Sequence, residues 1–107
     1  MKRKVEYLPQ AEEDIFEIYK YILFNDCREA ADHIFEKLTE NCLNLSNIAD
    51  SGHCPRELET VNSDQFLERH FKPYRIIYEI EKSKVWIHCV LDGRRDLQDL
   101  LERRLLR

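Results

Sequence analysis

The sequence predicts an α+β fold with the element order β-α-α-(β)-β-β-β-α, and three observations carry that prediction. Apolar residues recur with helical spacing over residues 11–22 and again over 27–45. Residues 74–80 and 84–91 are rich in β-branched and aromatic side chains and are separated by a gap of hairpin size. A leucine row, Leu97, Leu100, Leu101 and Leu105, ends the chain with the period of an amphipathic helix. Together they describe an N-terminal strand and an antiparallel helical hairpin packed on one face of a small antiparallel sheet, with a C-terminal helix.

In chain order, residues 3–8 alternate Lys4, Glu6 and Leu8 against Val5 and Tyr7, which is a short strand pattern. Pro9 ends that strand, because the residue before proline is pushed to extended geometry, and it suits the first turn of a helix. Ala11, Ile15, Ile18, Tyr19 and Ile22 form one face of that helix. Glu12, Glu13 and Asp14 lie where the helix dipole favours negative charge. Asn25-Asp26 break the pattern, and Asp26 with Glu29 reads as a capping box for a second helix running to about Leu45. The short break makes the two helices an antiparallel hairpin. Residues 46–56 hold Asn47, Asp50, Ser51, Gly52 and Pro55 and read as a loop; residues 57–61 read as a weak strand; Asn62-Ser63-Asp64 read as a turn. Residues 66–71 form a strand, and Pro73 fits an edge or a strand start. In the last strand, Val85, Ile87, Cys89 and Leu91 make one face and Trp86, His88 and Val90 the other. Both faces carry apolar groups, which places this strand centrally and covered on both sides. Asp92-Gly93 turn the chain into the terminal helix.

A length of 107 residues fits one domain spanning 1–107. No apolar run reaches the roughly 18 residues of a membrane span. The basic start, Met1-Lys2-Arg3-Lys4, continues into alternating residues and not into the apolar core of a signal peptide. A cytoplasmic protein with no membrane partner is expected. Cys27, Cys42, Cys54 and Cys89 are then reduced packing residues. They contain no C-x-x-C pair, and His53-Cys54 has no recognised zinc spacing, so neither metal nor cofactor is expected. The net charge of −4 is uneven: Lys2, Arg3 and Lys4 are clustered at one end, and five arginines follow Gly93 at the other. The acidic remainder excludes broad phosphate binding by the whole surface and leaves the basic ends for an acidic partner.

Three motifs carry a resemblance. Residues 5–15, Val-Glu-Tyr-Leu-Pro-Gln-Ala-Glu-Glu-Asp-Ile, lead a strand into an A-x-x-D-I helix start; Tyr74-Arg75-Ile76-Ile77-Tyr78 is a Y-R-(hydrophobic)₂-Y strand; Asp92-Gly93-Arg94-Arg95-Asp96 is a basic turn after the last strand. In that order, over nearly the whole chain, they resemble the ParE/RelE toxins of type II toxin–antitoxin systems, with the ParE-like branch favoured. The resemblance implies a toxin that inhibits growth, is neutralised by a small cognate antitoxin, and forms a hetero-oligomer with it. RelE-like members cut mRNA on the ribosome, and ParE-like members bind DNA gyrase. RNA cleavage needs a base, an acid and cations near the scissile phosphate. Arg75 and Arg95 match arginine positions of the RelE-like set, but residues 66–71 contain no lysine, and the position of the expected C-terminal tyrosine falls at about Leu101. The ParE-like reading therefore implies no catalytic residue. It assigns target binding to Arg94, Arg95, Arg103 and Arg104, and antitoxin binding to Tyr74, Leu97, Leu101 and Leu105.

Plainer roles stand beside these. Arg75 reads equally as a cross-strand partner of Glu68 or Glu79, Tyr74, Tyr78 and Trp86 as core aromatics, and His88 as a satisfied, partly buried histidine. The alternative is an endoribonuclease acting on the ribosome, with Glu68, Arg69, Arg75, His88 and Arg95 as its acid–base and cation set. The terminal leucines either fill the protein's own core or form a groove for the antitoxin.

Overall fold

The structure is a computed structural model, and it describes residues 2–61 and 65–106. Strand β1 (Lys4–Tyr7) leads through Leu8 into helix α1 (Pro9–Asn25), followed by helix α2 (Arg28–Ile48). Two short 3₁₀ turns follow, Ala49–Ser51 and Arg56–Val61. Strands β2 (Phe66–Phe71), β3 (Tyr74–Glu81) and β4 (Lys84–Asp92) come next, and helix α3 (Gln98–Leu105) ends the order. Pro9 stands at the start of α1, as its fixed φ and missing N–H allow.

The sheet order is β1-β4-β3-β2, so β4 is central, as its two apolar faces predict. The sheet is mixed, which corrects the expectation of an all-antiparallel one. The β2–β3 and β3–β4 pairs are antiparallel, but β1 runs parallel to β4, from Lys4 beside Lys84 to Tyr7 beside Ile87. The helical hairpin, β2 and β3 all intervene between β1 and β4 in the chain, and a connection of that length permits parallel pairing.

Each face of the sheet carries its own core. Ala11, Ile15, Leu38, Cys42 and Leu45 of the hairpin pack on Ile76, Tyr78, Val85, Ile87 and Val90. Leu58, Leu97 and Leu101 pack on the opposite face against Phe66, Ile77, Cys89 and Leu91. Val85 and Ile87 therefore face one core, and Cys89 and Leu91 the other, which corrects the strict alternation expected along this strand. The register explains the change: Tyr78 pairs with Ile87 and Ile77 with Cys89, so His88 is an extra, bulged residue and the side-chain alternation inverts across it.

Three local expectations are also corrected. Asp26 does not cap α2; Cys27 takes the N-cap position with no side-chain cap bond, and the Asp26 N–H instead closes α1 by donating to the Ile22 carbonyl at 2.8 Å. Helix α2 runs three residues past Leu45, and residues 57–61 are a 3₁₀ turn and not a strand. That turn buries Leu58, which joins the second core as it would not from an extended edge. The turn expected at Asn62-Ser63-Asp64 lies outside the described residues. No helix among the described residues is long and apolar enough to cross a membrane.

Candidate functional site

Residues of β3 with odd numbers point to the second face, and Arg75 lies there at 6% exposure. Its Nη1 and Nη2 donate to the two carboxylate oxygens of Glu57, each at 2.7 Å. Its Nε and Nη2 donate to Oε2 and Oε1 of Glu68, again at 2.7 Å. Both carboxylates are themselves buried. Four of the guanidinium's five N–H donors are thus taken up by two bidentate partners, the strongest geometry available to arginine. Its bonds, first those to Glu57, push the Arg75 pKa further up. Glu57 is held below the ordinary carboxylate range chiefly by Arg75. Burial works to raise Glu68, but the bonds from Arg75 and His70 outweigh it and leave its pKa lowered.

Gly93 gives Arg75 its room. A Cβ there would meet Arg75 Cγ and Cδ at 2.9 Å and the Pro73 carbonyl oxygen at 3.0 Å, and the Gly93 N–H donates to that same oxygen at 2.7 Å. Two further residues border the network. His70, two positions beyond Glu68 on β2 and so on the same face, brings Nε2 onto Glu68 Oε2. His53, from the stretch after α2, bridges Glu68 through backbone bonds of 3.1 and 2.7 Å. Its ring meets His70 edge to face at a centroid distance of 5.4 Å. These groups open onto a cleft of about 490 Å³ whose walls also include Cys54, Tyr74 and Arg94.

The remaining members of the acid–base alternative lie elsewhere. Arg69 points to the opposite face and donates from Nη1 to Ser51 Oγ at 2.9 Å. His88 Nε2 lies 2.9 Å from Glu79 Oε1, and its ring meets Phe66 edge to face at 5.0 Å. Arg95 is exposed just before α3. Only Glu68 and Arg75 of that set are in contact.

A second surface surrounds the C-terminal helix. Arg94 is exposed and pairs with Asp92 at 2.7 Å, while Arg95 and Arg103 are exposed and form no ion pair among the described residues. Arg104 is different: it is largely buried, with Nη1 donating to Asp14 at 2.9 Å and Nη2 to the His88 carbonyl at 2.9 Å. Of the residues assigned to the antitoxin, Leu97, Leu101 and Tyr74 are buried in the protein's own cores and Leu105 packs against the second one. Between α1 and the ends of β4 and α3 lies a groove of about 740 Å³, lined by Ile18, Tyr21, Tyr74, Leu100 and the Arg94-Arg95 pair.

Sequence reasoning did not find Glu57, His70 or His53. The spacing of Glu68 and His70 is an i, i+2 strand signal that was available. Glu57 and His53 reach the site through irregular turns, where no periodicity marks which way a side chain points.

The scaffold, a helical hairpin and a short terminal helix on opposite faces of a four-stranded sheet, is that of a ParE-type toxin. The family profile described as the ParE toxin of type II toxin–antitoxin systems, parDE, matches residues 5–97. The chain belongs to that family. Among solved structures it is similar to a chain from the chromosomal ParDE system of P. aeruginosa, with a TM-score of 0.69 and 13% identity, covering 83% of this chain and 94% of that one. At that identity the likeness is one of fold. No curated protein sequence matches.

Proposed function

We propose that this ParE-family toxin is a cytoplasmic protein that inhibits growth by binding DNA gyrase and is held inactive in a hetero-oligomer with a cognate antitoxin. The observation that carries the reading is the state of Arg75. The arginine best placed to hold a scissile phosphate is buried and neutralised by Glu57 and Glu68. Around α3, Arg95 and Arg103 are exposed and form no ion pair among the described residues, and Arg94 is exposed but held by Asp92. Exposed charge of that kind steers association and orients a protein partner without any proton transfer. The burial of Leu97 and Leu101 moves the antitoxin contact away from them, toward the groove lined by Ile18, Tyr21 and Leu100.

Supercoiling by purified gyrase tests this directly. Inhibition by micromolar toxin is expected, relieved by coexpressed antitoxin. The double substitution Arg95→Ala/Arg103→Ala should raise the inhibitory concentration about tenfold, the equivalent of about 1.4 kcal/mol. Undiminished supercoiling rejects the gyrase target.

One observation favours the second reading, a ribosome-dependent endoribonuclease: His53, Glu68 and His70 meet at an open cleft, as an acid–base pair would. Primer extension on translated mRNA separates the two. New cleavage ends that vanish with His70→Ala would establish the nuclease and displace the gyrase reading.

A further inference from the structure

His53, Glu68 and His70 each offer one donor atom, and these atoms lie within 4.8 Å of one another. The fold builds this arrangement from two rules of strand geometry. Glu68 and His70 are two residues apart on β2, so their side chains leave the same face. His53 stands opposite Glu68 in an isolated antiparallel bridge, which brings the third side chain to that face. We propose that these three residues form a binding site for a divalent transition metal of the zinc type.

The donor set is two imidazoles and one carboxylate, the composition of zinc sites that keep a fourth position open. Here the open side is the cleft, where a water would complete a tetrahedron. Zinc bonds of about 2.0–2.2 Å place tetrahedral donors about 3.4 Å apart, which the present spacing approaches after small rotations of two exposed imidazoles. The ion would replace the direct contact between His70 Nε2 and Glu68 Oε2.

The groups that hold the ligands are in place already. Metal-binding histidines commonly donate their other ring N–H to a carbonyl, and ligating carboxylates are hydrogen-bonded in turn. His53 Nδ1 lies 3.3 Å from the Cys54 carbonyl oxygen, which as a donor leaves Nε2 free to ligate. Glu68 is fixed by two bonds from Arg75. Charge bears on the site from both sides. Glu57 and Glu68 are buried and share the single charge of Arg75, and Arg56 lies 3.9 Å from Glu57 as a further counter-charge. Arg75 opposes the cation, as do Arg56, Lys72 and Arg94 on the cleft walls, so the affinity must come from direct ligation by Glu68 and the two histidines. Two thiols are accessible, Cys27 on the surface and Cys54 in the wall of the same cleft, so Cys27→Ser removes the exposed one and Cys54→Ser in the same background tests whether the other ligates.

The test uses the full-length chain carrying Cys27→Ser, titrated with Zn²⁺ by calorimetry and with Co²⁺ by visible absorption. One equivalent per chain is expected, with the intense d–d bands of a tetrahedral Co²⁺ centre. His53→Ala and His70→Ala should each weaken binding at least tenfold with unchanged circular dichroism, since both side chains are exposed. His33→Ala, on the exposed face of α2, should leave affinity unchanged. Failure to take up either metal, or affinity that survives both His53→Ala and His70→Ala, overturns the site.

Discussion

Arg75 is placed where an arginine is costly to bury and costlier to remove. Its side chain is 8% exposed and faces two carboxylates that are 5% and 2% exposed. Replacing a buried ion network with matched apolar groups is often neutral, whereas removing one partner strands the other charges. Arg75→Ala is therefore expected to destabilise the fold by about 3–5 kcal/mol in urea unfolding. Adding Glu57→Gln and Glu68→Gln should recover most of that loss; a triple variant no more stable than Arg75→Ala would show that the carboxylates do not set the cost. The cysteines give a second expectation at this scale. Burial pushes the Cys42 thiol up to about 11 and the Cys89 thiol up to about 12, and both side chains are inaccessible. Thiolate is the reactive form, so near pH 8 exposed Cys27 should alkylate rapidly while Cys42 and Cys89 react only on unfolding. Mass mapping of the labelled sites after a short pulse checks this, and early labelling of Cys89 would contradict its place in the second core.

At the scale of elements, the contact between the turn after α2 and strand β3 is set by one glycine and one hydroxyl. The Tyr78 hydroxyl donates to the Ala49 carbonyl at 2.6 Å, and a Cβ on Gly52 would lie 2.0 Å from that hydroxyl oxygen. Gly52→Ala must displace Tyr78, a fully buried side chain, and is expected to cost about 1–3 kcal/mol in thermal or urea unfolding. A wild-type midpoint would mean that the turn moves freely against the sheet. Elements of this kind also mark how far the sequence could be read. Helices α1 and α2, the three consecutive strands and α3 were all legible, because each carries a hydrophobic period of its own. The two 3₁₀ turns have none, and residues 57–61 passed for a strand because Leu58 and Val61 are apolar. The bulge at His88 was equally hidden: apolar residues stand on both sides of it, so inverting the alternation leaves no mark in the pattern. The candidate site inherits these gaps. Glu68 and Arg75 sit on regular strands and were found; Glu57 sits on a 3₁₀ turn and His53 in an isolated bridge between the two turns, and neither was, while His70 was missed although its strand spacing from Glu68 was legible.

For the molecule as a whole, the central strand poses a problem that the two layers solve together. β1 pairs with β4 only as far as Ile87, so beyond that point the edge of β4 would present unpaired backbone groups. Asp14 of α1 accepts from the Val90 N–H at 3.0 Å, and Arg104 of α3 donates to the His88 carbonyl at 2.9 Å. The two side chains then bond each other at 2.9 Å. One ion pair thus covers the open edge and ties the helix of one face to the helix of the other. Its electrostatics are not wholly favourable: burial raises the Asp14 pKa and outweighs the lowering by Arg104 and the Val90 N–H. An acid whose folded pKa is raised favours the folded state when protonated, and that contribution is lost as pH climbs through the folded value. Removing Arg104 raises Asp14 further. Arg104→Ala is accordingly expected to cost about 2–4 kcal/mol at pH 7, where it leaves a largely buried carboxylate without its counterion. The deficit against wild type should shrink as pH falls through the elevated Asp14 value. Urea midpoints of both proteins from pH 7 to pH 4 measure the difference, and a deficit that stays constant over that range would mean that Arg104 acts through the His88 carbonyl or through packing, not through Asp14.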